Sequence, residues 1–241
     1  MTRKTSLLSK LVLLREQLPT NYDASENNIA RVMPVVLDNN NIKFVKKVNN
    51  LGFIINDKFS WSDQINKSCS SIFSGLRSLW HVASILPTDT KLKLVQALLG
   101  HHITAGDVIT GKLNSENTRS LQRAFNAMTR FVFNLRKYDH ISHLSDKIFG
   151  LDMVDLLQFR RQVFLFNLIR NKEPDYLYEK LQFFSSHRLS NNIRMPQHQH
   201  ASSALSFFVH EPHFWNSLPR EVKSSSNLKN FKTKLLSILK N

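Results

Sequence analysis

Hydrophobic residues recur at helical spacing through most of this chain, and polar breaks divide the runs into separate helices. Leucines at three- and four-residue intervals over residues 5–18 predict an amphipathic helix that ends at Pro19. Five further helices are predicted at 60–80, 90–103, 114–135, 139–150 and 151–170. The last of these is apolar around most of its circumference, so we expect it to be well buried.

A β pattern occupies a short region near the front of the chain. Residues 32–37 are apolar and β-branched, residues 42–48 alternate apolar and basic, and residues 51–55 form a third short run. An Asp-Asn cluster at 38–41 separates the first two runs and is typical of a turn. The pattern predicts two or three antiparallel strands, which need cover from helices or from another domain.

Two of the predicted helices have well-defined faces. In 60–80, Ser60 or Ser62 is the expected cap, and the apolar stripe is Trp61, Ile65, Cys69, Ile72, Phe73, Leu76, Leu79 and Trp80. In 114–135, Arg119, Arg123 and Arg130 lie outside, and the inward set is Leu121, Phe125, Met128, Val132 and Leu135.

Other caps and pairs can also be predicted. Thr88 or Asp89 is expected to cap the helix over 90–103. Because Arg160 and Arg161 sit in the most apolar run, we expect one of them to pair inside the protein. The acid would be Asp152, Asp155 or another carboxylate.

The pattern changes beyond Pro174. A short helix is predicted over 174–183, a polar loop over 185–204 and a strand over 205–210. The final run predicts an amphipathic helix up to Leu239, with Asn227 as its cap. The C-terminal part is thus predicted as a short mixture of β and helical structure.

The charge balance of the sequence indicates what class of partner the protein binds. Lys and Arg number 33 against 18 Asp and Glu, which gives a formal net charge of +15 at pH 7 and a pI near 10.1. An excess of this size favours a polyanion as partner, with nucleic acid ahead of an anionic membrane. The 241 residues, 41% of them hydrophobic, suffice for one domain with a core or for two small ones.

Cys69 is the sole cysteine in the sequence, so neither an internal disulfide nor a cysteine-based zinc site is possible. The N-terminal apolar run is interrupted by Lys10 and Arg15, which argues against a signal peptide. No run approaches the roughly 18 uncharged apolar residues of a transmembrane helix. We therefore expect an intracellular protein without a membrane partner.

The sequence offers little support for catalysis, metal binding or a cofactor. It contains no Gly-x-Ser-x-Gly elbow and no Gly-rich phosphate loop. Asp152 and Asp155 lie beside apolar residues, which makes them poor candidates for metal ligands. Three pairs of histidines occur in the sequence, at 101 and 102, at 140 and 143, and at 198 and 200. None of these pairs has a cysteine partner for a zinc site. Surface or phosphate-contacting roles suit these histidines better.

Four segments follow one another along the chain: LGFIINDKFSWSDQI (51–65), ILPTDTKLKLVQALLGHHITAGDVI (85–109), LQRAFNAMTRFVF (121–133) and FWNSLPREVKSSSNLKNFKTKL (214–235). In this order they resemble the end of the palm and the thumb of jockey-type non-LTR retrotransposon reverse transcriptases. The second departs from the family, which usually shows Pro-His and a Tyr where this chain has His101-His102 and Ala105. The resemblance covers about residues 33–240.

The resemblance implies a mainly α fold, with a thumb-like helical bundle and a small antiparallel β element near the N-terminus. It divides the chain into the end of a palm (1–58), a thumb-like region (59–172) and a C-terminal segment (173–241). Leu51, Gly52, Trp61 and Trp215 would be structural junction residues, the first three where the strands meet the thumb. Trp61 would seal that junction as a large buried aromatic.

The family's polymerase chemistry is not expected here. RNA-directed DNA synthesis needs carboxylates that hold two Mg²⁺ ions, supplied in the family by an Asp-Asp hairpin and an earlier Asp. No two aspartates are adjacent in this sequence. The resemblance therefore implies a non-catalytic fragment that retains sequence-independent binding of an RNA–DNA or other nucleic-acid duplex. The expected phosphate contacts are Lys46, Lys47, Lys67, Arg77, Lys91, Lys93, Arg119, Arg123, Arg130, Arg136 and Lys137.

The alternative is a helical protein-interaction module with no nucleic-acid role. Such a module could also dock on a separately encoded palm and complete a polymerase. The apolar helix at 151–170 and the strand edge near 32–55 would then be the docking surfaces, because both lose cover on truncation. An exposed apolar patch would favour docking, whereas a covered core with one basic face would favour nucleic-acid binding.

Overall fold

The computed structural model describes residues 35–37, 40–42, 45–58, 60–184, 191–197 and 205–240. It is mainly α-helical with short antiparallel strands near the N-terminus, which confirms the predicted fold class. The chain divides into two compact units, Met1–Val48 with Asn56–Phe59, and Asn49–Ile55 with Ser60–Asn241. The helix predicted at 5–18 lies outside the described residues.

The first unit contains a small two-stranded sheet. Strands β1 (Val35–Leu37) and β2 (Asn40–Ile42) pair antiparallel, with Val35 opposite Ile42 and Leu37 opposite Asn40. The single strand predicted over 42–48 is wrong in extent, because Val45 and Lys46 belong to neither β2 nor the next strand. Val45 is 64% exposed, so the alternating pattern there has no core to face.

A second two-stranded sheet follows, formed by β3 (Lys47–Asn50) and β4 (Phe53–Asn56). Leu51 and Gly52 connect the strands with φ angles of +50° and +88°. Two positive φ angles in a two-residue connection are what a type I′ turn requires. The strand predicted at 51–55 therefore begins two residues too early, because Leu51 and Gly52 form the turn.

Leu51 is a poor residue for its own conformation, and this leads to a testable stability change. Its side chain is 73% exposed, so it contributes little packing to offset the strain of a left-handed backbone. Leu51→Asn should raise the free energy of unfolding by about 1 kcal/mol, because asparagine tolerates positive φ. Leu51→Val should lower it by a similar amount, because a β-branched side chain fits this region least. Chemical denaturation of both variants would check this, and an Asn variant less stable than wild type would contradict it.

The β3–β4 turn is tied to the first long helix by polar contacts. Lys67 Nζ donates to the carbonyl oxygen of Gly52 at 2.9 Å, and the backbone N–H of Ile54 donates to Gln64 Oε1 at 3.0 Å. Trp61 directly precedes that helix, is half-buried and packs against the first hydrophobic cluster. Lys67 and Gln64 therefore supply the hydrogen bonds of this strand-to-helix junction.

The first hydrophobic cluster lies among the helices that follow the strands. These are α1 (Ser62–Trp80), α2 (Thr88–Leu98), α3 (Gly100–Thr104), α4 (Asp107–Thr110) and α5 (Ser115–Phe133). Ile72, Val95, Phe125 and Met128 are fully buried at its centre. The inward set predicted for α5 is largely confirmed, with Leu121, Phe125, Met128 and Val132 buried and Leu135 half-buried.

Several local predictions for these helices are wrong. Phe73 and Trp80 were expected in the core but are 47% and 64% exposed. The helix predicted over 90–103 begins at Thr88 and is interrupted at Leu99. The cap positions of α1 and α2 are occupied by Trp61 and Pro87, rather than by the predicted serine, threonine or aspartate.

The second hydrophobic cluster is built by the C-terminal half. Its helices are α6 (Met153–Asn171), α7 (Asp175–Tyr178), α8 (Phe207–Ser217), α9 (Arg220–Lys223) and α10 (Leu228–Leu239). Helix α6 contributes Met153, Leu156 and Leu157 to the first cluster and Leu165, Phe166 and Leu168 to the second. Because α6 packs against both, it is apolar on most sides, as the sequence predicted.

Trp215 anchors the C-terminal segment, and Asn227 caps the last helix as predicted. Trp215 is 2% exposed, and its Nε1 donates to the carbonyl oxygen of Asn191 at 2.8 Å. Asn227 Oδ1 accepts from the backbone N–H of Asn230 at 2.8 Å. The Phe166 and Phe231 rings stack with centroids 4.2 Å apart, which joins α10 to α6.

Two elements differ from the sequence prediction in type or length. The strand predicted at 205–210 is the start of α8, because Phe207 inserts into the second cluster from a helix. Short apolar runs do not distinguish a strand from a buried helix by periodicity alone. The helix predicted over 139–150 is only a 3-10 turn at Ser142–Leu144, and α7 covers four of the ten residues of 174–183.

The internal pairing of the arginine pair is confirmed, with an acid from far along the chain. Arg161 Nε donates to Glu211 Oε1 at 2.7 Å, and the two side chains are 5% and 0% exposed. The neighbouring Arg160 is bonded to a different acid, because its Nε donates to Asp107 Oδ2 at 2.6 Å. Asp152 instead caps α6, accepting from the backbone N–H of Asp155 at 2.9 Å.

Among the described helices, none is long and apolar enough to cross a membrane.

Candidate nucleic-acid interface

Three of the predicted phosphate contacts form a stripe along α5, which we call the arginine stripe (Arg119, Arg123 and Arg130). In an α-helix these positions fall within about 40° of one another around the axis and span roughly 17 Å along it. Leu121 and Met128, which are 1% and 0% exposed, lie on the opposite side of the helix. The stripe therefore faces away from the core because the core holds the other face of α5.

The part of the chain that carries the stripe contains few acidic residues. Residues 60–137 contain ten Lys and Arg against four Asp and Glu. Glu116, in the first turn, is the only acidic residue of α5. In the described part of the chain, neither Arg119 nor Arg123 forms an ion pair. Surface cations without acidic partners produce a positive field that attracts polyanions.

The C-terminal end of the stripe is held by the loop that follows α5. Arg130 is half-buried, and its Nε donates to the carbonyl oxygen of Arg136 at 3.3 Å. Asp139 Oδ2 accepts from the backbone N–H of Arg136 at 2.6 Å, which closes a tight turn. Arg136 and Lys137 are both exposed in this turn. Lys137 Nζ lies 5.3 Å from the centre of the Tyr138 ring, which is 88% exposed.

The other predicted contacts on the second unit are surface residues with one exception. Arg77 on α1 and Lys93 on α2 are exposed. Lys67 is also exposed, although its Nζ donates to the carbonyl oxygen of Gly52. Lys91 is only 1% exposed, so its prediction as a phosphate contact is wrong. Its Nζ donates to Asn134 Oδ1 at 2.5 Å and lies 5.7 Å from the centre of the Phe131 ring. Lys91 is turned inward because it is on the opposite side of α2 from Lys93.

The two remaining predicted contacts belong to the first unit. Lys46 precedes β3 and Lys47 begins it, and both side chains are exposed. The backbone oxygen of Lys46 accepts from the N–H of Asp57 at 3.0 Å within that unit.

A half-open cleft of about 320 Å³ lies where α1 and α5 end, and we call it the Trp80 cleft. Its lining is Trp80, Ala83, Ser84, Arg130, Phe131 and Asn134. The Trp80 ring lies 6.1 Å from the Phe131 ring at an angle of 46°, yet Trp80 remains 64% exposed. Arg130 belongs to both the cleft and the arginine stripe, so the two surfaces are continuous. The sequence reasoning missed this cleft because Trp80 fell within the apolar stripe of α1.

The histidine pairs do not assemble a metal site in the described part of the chain. No group of three or more His, Cys, Asp and Glu there is arranged to hold a metal ion. The rings of His101 and His102 lie 3.8 Å apart, and burial together with the neighbouring His101 lowers the pKa of His102. His140 and His143 stack with ring centres 6.2 Å apart. The pair at 198 and 200 lies outside the described residues.

A buried polar group between α6 and α8 was also missed, and we call it the Glu211 network (Gln158, Arg161, Gln162, His210 and Glu211). Glu211 Oε2 accepts from the side-chain amides of Gln158 and Gln162 at 2.7 and 2.6 Å. Glu211 Oε1 accepts from Arg161 and lies 3.0 Å from His210 Nδ1. Burial by itself raises the pKa of Glu211, but His210 and Arg161 outweigh it and the pKa is lowered. The spacing of Gln158, Arg161 and Gln162 on one helical face was the available signal.

Comparison with protein-family models, with curated proteins and with solved structures finds no match for this chain.

Proposed function

We propose that this protein binds nucleic acid through the phosphate backbone without sequence preference, using the arginine stripe and its basic neighbours. The observation that carries this proposal is the position of Arg119, Arg123 and Arg130 on one face of α5, opposite its buried face. Contacts from arginine to phosphate set affinity and register but do not select sequence. Cations spaced along one helix face match a regular polyanion better than they match a compact acidic protein.

The resemblance to the thumb of a non-LTR retrotransposon reverse transcriptase supports the same proposal. In that setting the expected ligand is an RNA–DNA or other duplex, gripped by helix faces laid on its phosphates. The sequence lacks the adjacent aspartates of the polymerase hairpin, so binding without catalysis is the proposed activity. The role is thus that of a fragment that holds the duplex.

The rival function, a module that docks on a polymerase palm or another protein through its apolar helix, receives less support. Helix α6 is one of its two expected docking surfaces, beside the strand edge near 32–55, but most of the apolar residues of α6 lie within the two hydrophobic clusters. Val154 is an exception at 48% exposed. A single exposed valine is ordinary for a surface and does not form a docking patch. A covered helix beside a basic face favours independent binding of nucleic acid.

A salt series with the purified full chain tests the proposal. We expect binding to a labelled RNA–DNA hybrid at 50 mM salt, with log K falling linearly against log salt. Three stripe contacts alone would give a slope of about −2.7, since each phosphate contributes roughly −0.9. A second hybrid of unrelated sequence should bind within about twofold, because the contacts are to the backbone.

The outcome that would overturn the proposal is the absence of binding at 50 mM salt from a sample shown to be folded by circular dichroism. A slope near zero would overturn it as well, because it would mean that few counterions are released.

A further inference from the structure

Trp80 is the most unusual side chain on the surface of the second unit. It ends α1 with 64% of its surface exposed, whereas Trp215 is 2% exposed and Trp61 is half-buried. Phe131 is the only ring that the described residues place against Trp80. A large part of the indole therefore remains available to an aromatic ligand, and nucleobases stack on such surfaces.

The polar group at the far side of the cleft is oriented by a buried cation. Lys91 is buried, and its ammonium can only donate, so the oxygen of the Asn134 side chain must face it. This fixes the amide of Asn134, because a flipped amide would place an NH₂ group against an ammonium. Its Nδ2 forms no hydrogen bond within the described part of the chain and is left as a donor at the cleft wall.

The charge of the cleft also restricts what it accepts. Arg130 contributes its cationic side chain to the lining, and no Asp or Glu lines the cleft. A ligand that is flat, carries an acceptor on its edge and has an anion beside it would satisfy all three groups. An unpaired nucleotide has this combination of ring, carbonyl and phosphate.

We propose that the Trp80 cleft receives one unpaired nucleobase of a bound strand. The base stacks on Trp80, a base carbonyl accepts from Asn134 Nδ2, and the adjoining phosphate lies at Arg130. This inference rests on the proposed backbone binding and deepens it. The ligand becomes a strand that leaves a duplex, with its paired part along the arginine stripe and its first unpaired base in the cleft.

The fixed amide predicts a preference among bases. Asparagine reads adenine by donating and accepting together, and Asn134 has its oxygen engaged by Lys91. Thymine and uracil present carbonyl acceptors that need a donor alone. An overhang of thymidines should therefore bind more tightly than an overhang of adenosines.

The test compares three labelled ligands that share one duplex: blunt, with a three-thymidine overhang, and with a three-residue abasic overhang. Wild type should bind the thymidine overhang about tenfold more tightly than the abasic one, as expected for one stacked base. Trp80→Ala should abolish this difference and leave blunt-duplex affinity unchanged, while Trp80→Phe should retain most of it. Tyr176→Ala, which removes another exposed aromatic on α7, should behave as wild type. Quenching of tryptophan emission by the thymidine overhang should disappear in both Trp80 variants.

Three results would overturn the inference. Equal binding of the thymidine and abasic overhangs by wild type would show that no base is held, even if backbone binding stands. Unchanged overhang affinity of Trp80→Ala would show that the cleft holds no base, and a wild type that is dimeric in sedimentation beside a monomeric variant would then assign the cleft to a second copy of the chain. Failure of wild type to bind any of the three ligands at 50 mM salt would remove the proposed function and this inference together.

Discussion

Replacing Glu211 by alanine is expected to lower the free energy of unfolding by about 3 to 5 kcal/mol, because it leaves Arg161 charged and buried without a partner. Arg161 is 4% exposed, and its guanidinium has Glu211 as its carboxylate partner. The side-chain amides of Gln158 and Gln162 would lose their acceptor at the same time. Urea denaturation of the full chain would measure the loss.

The exposed pair Lys147–Asp146 provides the control. Its side chains are 58% and 47% exposed with 3.7 Å between the charged atoms, so Asp146→Ala should change the stability by less than about 1 kcal/mol. The double variant Glu211→Leu with Arg161→Met should be much less destabilised than the sum of its single changes, because it leaves no buried charge. If Glu211→Ala were no more destabilising than Asp146→Ala, the network would not be a determinant of stability.

The same network gives the protein a defined response to acid. The pKa of Glu211 lies below its ordinary value of 4.5, because His210 and Arg161 outweigh the effect of burial. The unfolded chain therefore binds a proton at this carboxylate at a higher pH than the folded one. The stabilisation is present above about pH 4.5 and is lost as the pH falls through the folded pKa. The gap in stability between wild type and Glu211→Gln should accordingly narrow below pH 4.5.

Neutralising the arginine stripe is expected to weaken nucleic-acid binding by about two to three orders of magnitude at 0.1 M salt. The variant replaces Arg119, Arg123 and Arg130 by glutamine, and each lost phosphate contact removes roughly 0.9 from the slope of log K against log salt. The slope should therefore become less negative by about 2.7. Stability should change little, because Arg119 and Arg123 are exposed and Arg130 loses a single hydrogen bond to the backbone of Arg136.

A charge-matched control separates a specific face from total charge. Arg170, Lys229 and Lys240 are exposed basic residues on α6 and at α10, and their replacement by glutamine removes the same three charges. This control should keep most of the wild-type slope. Equal losses in the two triple variants would mean that binding follows net charge alone, which would contradict a dedicated interface on α5.

The local elements of this fold follow closely from spacing along the chain. Leu121, Phe125, Met128 and Val132 recur at helical intervals, so the inward face of α5 and the outward position of its arginines could be predicted together. The same is true of the last helix with its Asn227 cap, because a cap depends on residues only a few positions apart. Short apolar runs were less informative, because residues 205–210 were predicted as a strand but contain the start of helix α8.

Spacing and composition along the chain predict the helical character, the basic balance, the outward arginines of α5 and an internal partner for either Arg160 or Arg161. The packing of the helices establishes that Arg161 is the one paired inside and that Glu211 is its partner. It also establishes that Lys91 turns inward to Asn134 and that Trp80 stays exposed at the end of α1. The physical reason is distance along the chain. Periodicity reports which side of its own helix a residue occupies, whereas contacts between residues 43 or 50 positions apart depend on how separate helices pack.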